Sequence, residues 1–158
     1  MPTVPHAFLA AALALAAFPA ERTSVSPDHR YRVTWIAPPD AGGFHRLTLT
    51  DLRTKATAPL FSFMRHVELV WSPSSGDLAL TDCRGSNESV VYVIKSSAPA
   101  VATPVSLPAN VAASVAPHGH VYVRAVRWAS SSELTVSVTA YDNPAVPTVE
   151  ATFRYPVR

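Results

Sequence analysis

Val67-Glu68-Leu69-Val70-Trp71-Ser72-Pro73-Ser74-Ser75-Gly76-Asp77-Leu78-Ala79-Leu80-Thr81-Asp82 decides the fold. Val67, Leu69 and Trp71 alternate with other residues, as do Leu78 and Leu80, and a period of two puts such residues on one face of a strand. Between the two runs lies a cluster of Ser, Pro and Gly, residues that punctuate turns. The segment therefore reads as strand, tight turn, strand.

The same pattern spreads outward through the chain. Tyr31, Val33 and Trp35 alternate, then Leu47 and Leu49, then Val91 and Val93. Val121, Val123 and Ala125 follow, with Trp128 after a slip in alternation, then Leu134, Val136 and Val138, and finally Ala151, Phe153, Tyr155 and Val157. Turn clusters separate them at Pro38 to Gly43, at Gly85-Ser86-Asn87 and at Asp142-Asn143-Pro144. No stretch after residue 20 carries a helical period. Ser26-Pro27-Asp28, Ser72-Pro73-Ser74 and Ala129-Ser130-Ser131 open three related units, spaced 46 and 57 residues apart. Trp71 and Trp128 each end a strand just before a unit turn. Strand, polar turn, strand, hairpin and strand form the grammar of a propeller blade of roughly 40 to 50 residues.

These residues carry a resemblance. Val67 to Pro73 followed by Asp77 to Asp82 resembles the W-S-P-D-G-x-x-L-A-F core of TolB-type, WD40-like propeller repeats. Ser26-Pro27-Asp28 and the Leu47 to Lys55 strand and turn match the same pattern. Ser74-Ser75-Gly76 stands where the family has Asp-Gly, and no Pro-Asp follows Trp128. The resemblance implies blades and leaves activity open, because such repeats serve scaffolds, peptidase propellers and binding modules alike.

The expected fold is all-β, with about ten short antiparallel strands in two to three small blade-like sheets, spanning 26–63, 64–107 and 120–158 within one domain of residues 21–158. Propellers close with roughly four to eight four-stranded blades, so no full ring is expected. The open edges are expected to be covered by pairing of the first and last units, which brings residues near 33 beside residues near 153, or by a homodimer.

Composition limits the function classes. Of 158 residues, 48% are hydrophobic and 15% charged, which excludes a disordered tail protein. The net charge of +2 comes from cations scattered over the chain, not from a patch, so no nucleic acid is expected as partner. The run Ala7 to Ala17 is apolar, uncharged and too short to span a bilayer, and reads as the core of a signal peptide over residues 1–20. Cleavage is open between Ala16 and Ala20; the alternative is a buried helix ended by Pro19. After cleavage no membrane span is expected. The Ala- and Arg-rich composition points to a bacterium, hence a periplasmic or secreted product. Cys83 stands alone, so no intrachain disulfide forms.

Enzyme motifs are missing: no G-x-S-x-G, no H-E-x-x-H, no phosphate-cradling Gly loop and no C-x-x-C. No cofactor and no metal are expected. The candidate binding residues are Asp82, Arg84, Asn87 and Glu88 in the densest polar loop, and Asp142 in a later turn, weighed against plain solvated connections. Asn87-Glu88-Ser89 fits a glycosylation acceptor only in a eukaryotic secretory pathway. Cys83 has Arg84 beside it to favour thiolate, yet no His near in sequence to act as base. His118-Gly119-His120 can present two imidazoles to a metal, although two ligands do not make a site. Trp35, Trp71 and Trp128 read as core anchors rather than a binding surface. The expected function is that of an exported, non-enzymatic protein that binds a protein or envelope component. The alternative is a small secreted hydrolase or hydrolase inhibitor with its site on the loops around Asp82 and Asp142.

Overall fold

The computed structural model describes residues 22–38, 40, 42–97, 100–143 and 145–158. The signal-peptide segment lies outside the described residues, as do turn positions Pro39, Ala41 and Pro144. Four strands, β1 (Thr23–Val25), β2 (Tyr31–Ile36), β3 (His45–Asp51) and β4 (Thr57–Phe63), form one antiparallel sheet in chain order. Next come β5 (His66–Trp71), β6 (Asp77–Cys83), β7 (Glu88–Lys95), β8 (Ala102–Pro104), helix α1 (Ala109–Val115), β9 (His120–Ser130), β10 (Glu133–Tyr141) and β11 (Val149–Pro156). They form a seven-stranded sheet ordered β11-β10-β9-β7-β6-β5, with β8 paired to β7. The described residues are all-β, with two open sheets and one short helix.

The described strands number eleven instead of ten, because three-residue β1 carries too little pattern to be read. Helix α1 overturns the expectation of no helix after residue 20. Val111 and Val115, four apart on one face, are its buried residues. Seven residues hold only two turns, too few to display a period.

The repeat is visible in the turns. Ser26 Oγ accepts the amide of Tyr31 at 2.9 Å, and Ser72 Oγ accepts that of Asp77 at 3.0 Å, in both cases five residues on. Three residues after each serine the backbone enters the left-handed region, at His29 (φ 57°) and Ser75 (φ 61°). The two turns also touch: the amide of Asp28 donates to Ser75 Oγ at 3.0 Å. The alternation slip before Trp128 is a pair of irregularities in the β9–β10 register, which leaves Val126 facing solvent.

The three units stack through two cores. Val33, Leu47, Leu49, Leu60 and Phe63 pack with Leu78, Leu80 and Ile94 between the first and second units. Ala79, Val91 and Val93 pack with Val123, Ala125, Leu134, Val136 and Val138 between the second and third. β6 is thus buried on both faces, Leu78 and Leu80 toward one core and Ala79 toward the other. The expected pairing of the first and last units is not made. β2 lies between β1 and β3, β11 pairs β10, and Val33 and Phe153 belong to different cores. The middle unit separates the outer two because its central strand has two apolar faces to cover.

One junction is parallel, against the antiparallel expectation: Glu88 pairs with Val121 and Ser89 with Tyr122. The segment through β8 and α1 carries the chain back, so β9 enters in the direction of β7. β9 then crosses the second unit. Ser89 Oγ donates to the carbonyl of Val123 at 2.8 Å, and the amide of Ala125 donates to Thr81 Oγ1 at 3.1 Å. Arg124 forks onto Glu68 of β5 at 2.7 and 2.9 Å.

Candidate functional site

The expected site residues fall into three places. Asp82 is buried at the end of β6, 6% exposed, and its Oδ2 accepts from Arg84 Nε at 3.3 Å. Arg84 also donates to the Tyr92 hydroxyl and lies 5.7 Å over that ring. Burial pushes the Asp82 carboxyl up, although Arg84 pulls the other way. This group closes the end of the first core. Asn87 and Glu88 lie in the seam, where the Asn87 carbonyl accepts the Val121 amide at 2.8 Å, and both side chains are exposed.

Asp142 stands elsewhere, at φ 89° between β10 and β11. Its Oδ1 accepts the Gly119 amide at 2.9 Å and its Oδ2 meets His120 Nδ1 at 2.6 Å. The Gly119 N–H bond, with His120 beside it, holds the Asp142 carboxyl below the usual carboxylate range. A Cβ on Gly119 would meet Asp142 Oδ2 at 2.8 Å, so this close approach of the carboxylate relies on the missing side chain of Gly119. His118 turns inward, 8% exposed, with both ring nitrogens unpartnered, while His120 turns outward. The two imidazoles therefore do not share a face. Among the described residues no group of three His, Cys, Asp or Glu is placed to hold a metal.

Register builds what the sequence reading missed. His120 lies opposite Tyr141, and Tyr122 stands two pairs further along β9, on the same face. The His120 and Tyr141 rings are 5.1 Å apart and 8° from parallel; Tyr122 and Tyr141 are 5.8 Å and 24°; His120 and Tyr122 are 6.4 Å and 16°. A hydrogen bond with Tyr141, followed by burial, pushes the Tyr122 phenol up. Tyr122 also donates to the Ser86 carbonyl, which ties the polar loop to β9. Beside these rings a crevice of about 400 Å³ opens where β9 crosses the second unit, lined by Glu68, Thr81, Cys83, Arg124, Ser137 and Thr139 among others. The alternation of Tyr122 and Arg124 with Val121 and Val123 was the one sequence signal for this face.

Cys83 lines that crevice half-buried, and burial, then Glu68 and Asp82, push its thiol up. Arg84 is occupied by Asp82 and Tyr92, so it is not free to favour a thiolate at Cys83. His66, distant in sequence, is the cross-strand partner of Cys83, yet no hydrogen bond joins them, and its imidazole lies 3.9 Å from Glu68. Trp128 packs within the second core, and Trp35 and Trp71 against the first, as anchors.

No family model and no curated protein matches the chain. Among solved structures, it is similar to AtxE2 isopeptidase in its apo form, with a TM-score of 0.51 and 18% identity over 74% of this chain. It is also similar to TolB from Acinetobacter baumannii, with a TM-score of 0.50 and 13% identity over 85% of this chain. The chain spans 20% of the first protein and 31% of the second. These likenesses concern the fold, which is TolB-like and propeller-like without closure. No helix among the described residues is long and apolar enough to cross a membrane.

Proposed function

We propose that the chain is an exported, non-enzymatic binding protein of a bacterial cell envelope, delivered through residues 1–20 and recognising its partner on the outer face of β9 and β10. One observation carries the reading. His120, Tyr122 and Tyr141 form a ring group outside both cores, held on paired strands beside an open crevice. Rigid elements that present exposed aromatics and polar groups are suited to recognition. The likeness to TolB supports a blade scaffold for such a face.

The second reading, a small secreted hydrolase or inhibitor, is favoured only by His66 standing opposite Cys83. It requires a thiolate, and the surroundings of Cys83 oppose one.

Cells expressing the full chain, fractionated and probed for it, give the first test, with the protein expected outside the cytoplasm. The purified chain should then be retained saturably on washed envelope fragments, with retention lost in Tyr141→Ala and kept in Cys83→Ser, which removes the thiol without filling the crevice. Retention that rises linearly without saturation, or that vanishes in Cys83→Ser, removes the binding reading.

A further inference from the structure

We propose that the His120–Tyr122–Tyr141 face binds a neutral saccharide, with a hexopyranose ring lying against the tyrosines and its hydroxyl groups meeting Ser137, Thr139 and Asp142. This rests on the binding reading above and names the ligand class for that face.

The rings are available for stacking. Were Tyr141 sandwiched between the other two, His120 and Tyr122 would lie nearly twice as far apart as either neighbouring pair. They are 6.4 Å apart, so the three centroids make a triangle and no ring is sandwiched between the other two. The other ring groups among the described residues, Trp35 with His45 and Phe63 and Phe61 with Tyr92, belong to or pack beside the first core. Tyr141, by contrast, is 41% exposed.

The polar groups beside the rings select the ligand. Ser137 and Thr139, on the same face of β10 as Tyr141, make no side-chain hydrogen bond within the described residues, so their hydroxyls are free to donate and accept. Asp142 is held at the rim by Gly119 and His120 and offers a fixed carboxylate. Arg124, the cation of the crevice, is already forked onto Glu68, which leaves little net charge to attract an anion such as a phosphate. A proline-rich peptide needs apolar slots between its aromatic ridges, and here hydroxyls and an ion pair fill that place. A sugar ring has what remains complementary: an apolar C–H face for the tyrosines and a rim of hydroxyls for the polar groups. The crevice, at about 400 Å³, lies within the roughly 300–1,000 Å³ of small-ligand sites.

The test is an amide and side-chain NMR titration of the full chain with three neutral tetrasaccharides at millimolar concentration, β-1,4-glucose, β-1,4-N-acetylglucosamine and α-1,4-glucose, and with a proline-rich decapeptide. At least one saccharide should give saturable shifts centred on His120, Tyr122 and Tyr141. Tyr141→Ala should weaken it about tenfold or more, the loss of one stacked ring, and Tyr141→Phe should restore most of the affinity. Thr139→Val, which keeps the side-chain shape, should weaken it without changing the thermal unfolding midpoint. No saturable shift from any saccharide, shifts centred elsewhere, or full affinity in Tyr141→Ala overturns the proposal. Peptide binding in place of saccharide binding, or saturable envelope retention without saccharide binding, also overturns it while leaving the binding reading standing.

Discussion

The indole N–H of Trp128 donates to the carbonyl oxygen of Val70 at 2.9 Å, so the third unit is pinned to the first strand of the second. One unit earlier the motif recurs: Trp71 donates to Ser24 Oγ at 2.9 Å and pins the second unit to the first. Each tryptophan ends a strand and reaches back one unit, which explains why the chain repeats it just before a unit turn. In a stack without closure, these pins and the two cores between units hold the order.

Replacement of these pins should rank by burial. Trp128 is 9% exposed within the second core, and Trp128→Ala should cost about 3–5 kcal/mol as a large-to-small core change. Trp71 is half-buried, and Trp71→Ala should cost less, about 2–3 kcal/mol, because it removes less apolar area from the core. Urea unfolding monitored by far-UV circular dichroism gives both values. The reverse ranking would show that the first interface, not the second, limits stability.

Much of this architecture was legible because it is local. One-sided strands such as Tyr31 to Trp35 print an apolar period of two, and Ser26 and Ser72 print the shared turn chemistry. What was not legible depends on which surfaces meet. Leu78-Ala79-Leu80 looks like any apolar run until two neighbours cover both faces of β6, and that burial prevents the outer units from pairing. The site was hidden for the same reason. Asp142 and His118-Gly119-His120 were singled out separately, and only the pairing of His120 with Tyr141 brings them together. Asp82 looked like a loop-rim acid, yet its position two residues beyond Leu80 turns it toward the first core.

Gly119→Ala should disturb the rim of the proposed site. The added Cβ falls 2.8 Å from Asp142 Oδ2, closer than real Cβ contacts, so the carboxylate must shift and its contact with His120 should loosen. The unfolding midpoint should fall, but by less than for an overpacked core position, because the displaced atom is the end of an exposed side chain. Changes in amide shifts should concentrate at residues 119–122 and 141–143. An unfolding midpoint and His120 side-chain shifts identical to wild type would mean that the Asp142 turn yields freely.

Cys83 should alkylate slowly at neutral pH. Burial and the nearby Glu68 and Asp82 carboxylates disfavour its thiolate, which is the form that reacts. The rate with iodoacetamide should climb as pH rises and reach its midpoint above that of an ordinary cysteine, near 8.5. A midpoint below that value would make the thiol activated, bring His66 into consideration as its partner and revive the hydrolase reading.

The carboxylates predict a pH dependence whose sign differs between two residues. Asp142 has its folded value lowered by the Gly119 amide and His120. Its contribution is therefore complete above the unfolded value of about 3.9 and is lost as pH falls through the lower folded value. Asp82 is raised by burial, so its ionised form opposes folding at neutral pH, and that opposition fades as pH falls through the folded value toward about 3.9. Asp142→Asn should lower the urea midpoint at pH 7, and by less at pH 3, where part of the charge contribution is already lost. Asp82→Asn retains an oxygen acceptor for Arg84 and removes the buried charge, so its midpoint at pH 7 should equal or exceed wild type, with any advantage gone at pH 3. If Asp142→Asn shows the same deficit at both pH values, its contribution comes from turn geometry and not from charge. If Asp82→Asn is strongly destabilised at pH 7, the ion pair with Arg84 outweighs the cost of burying it.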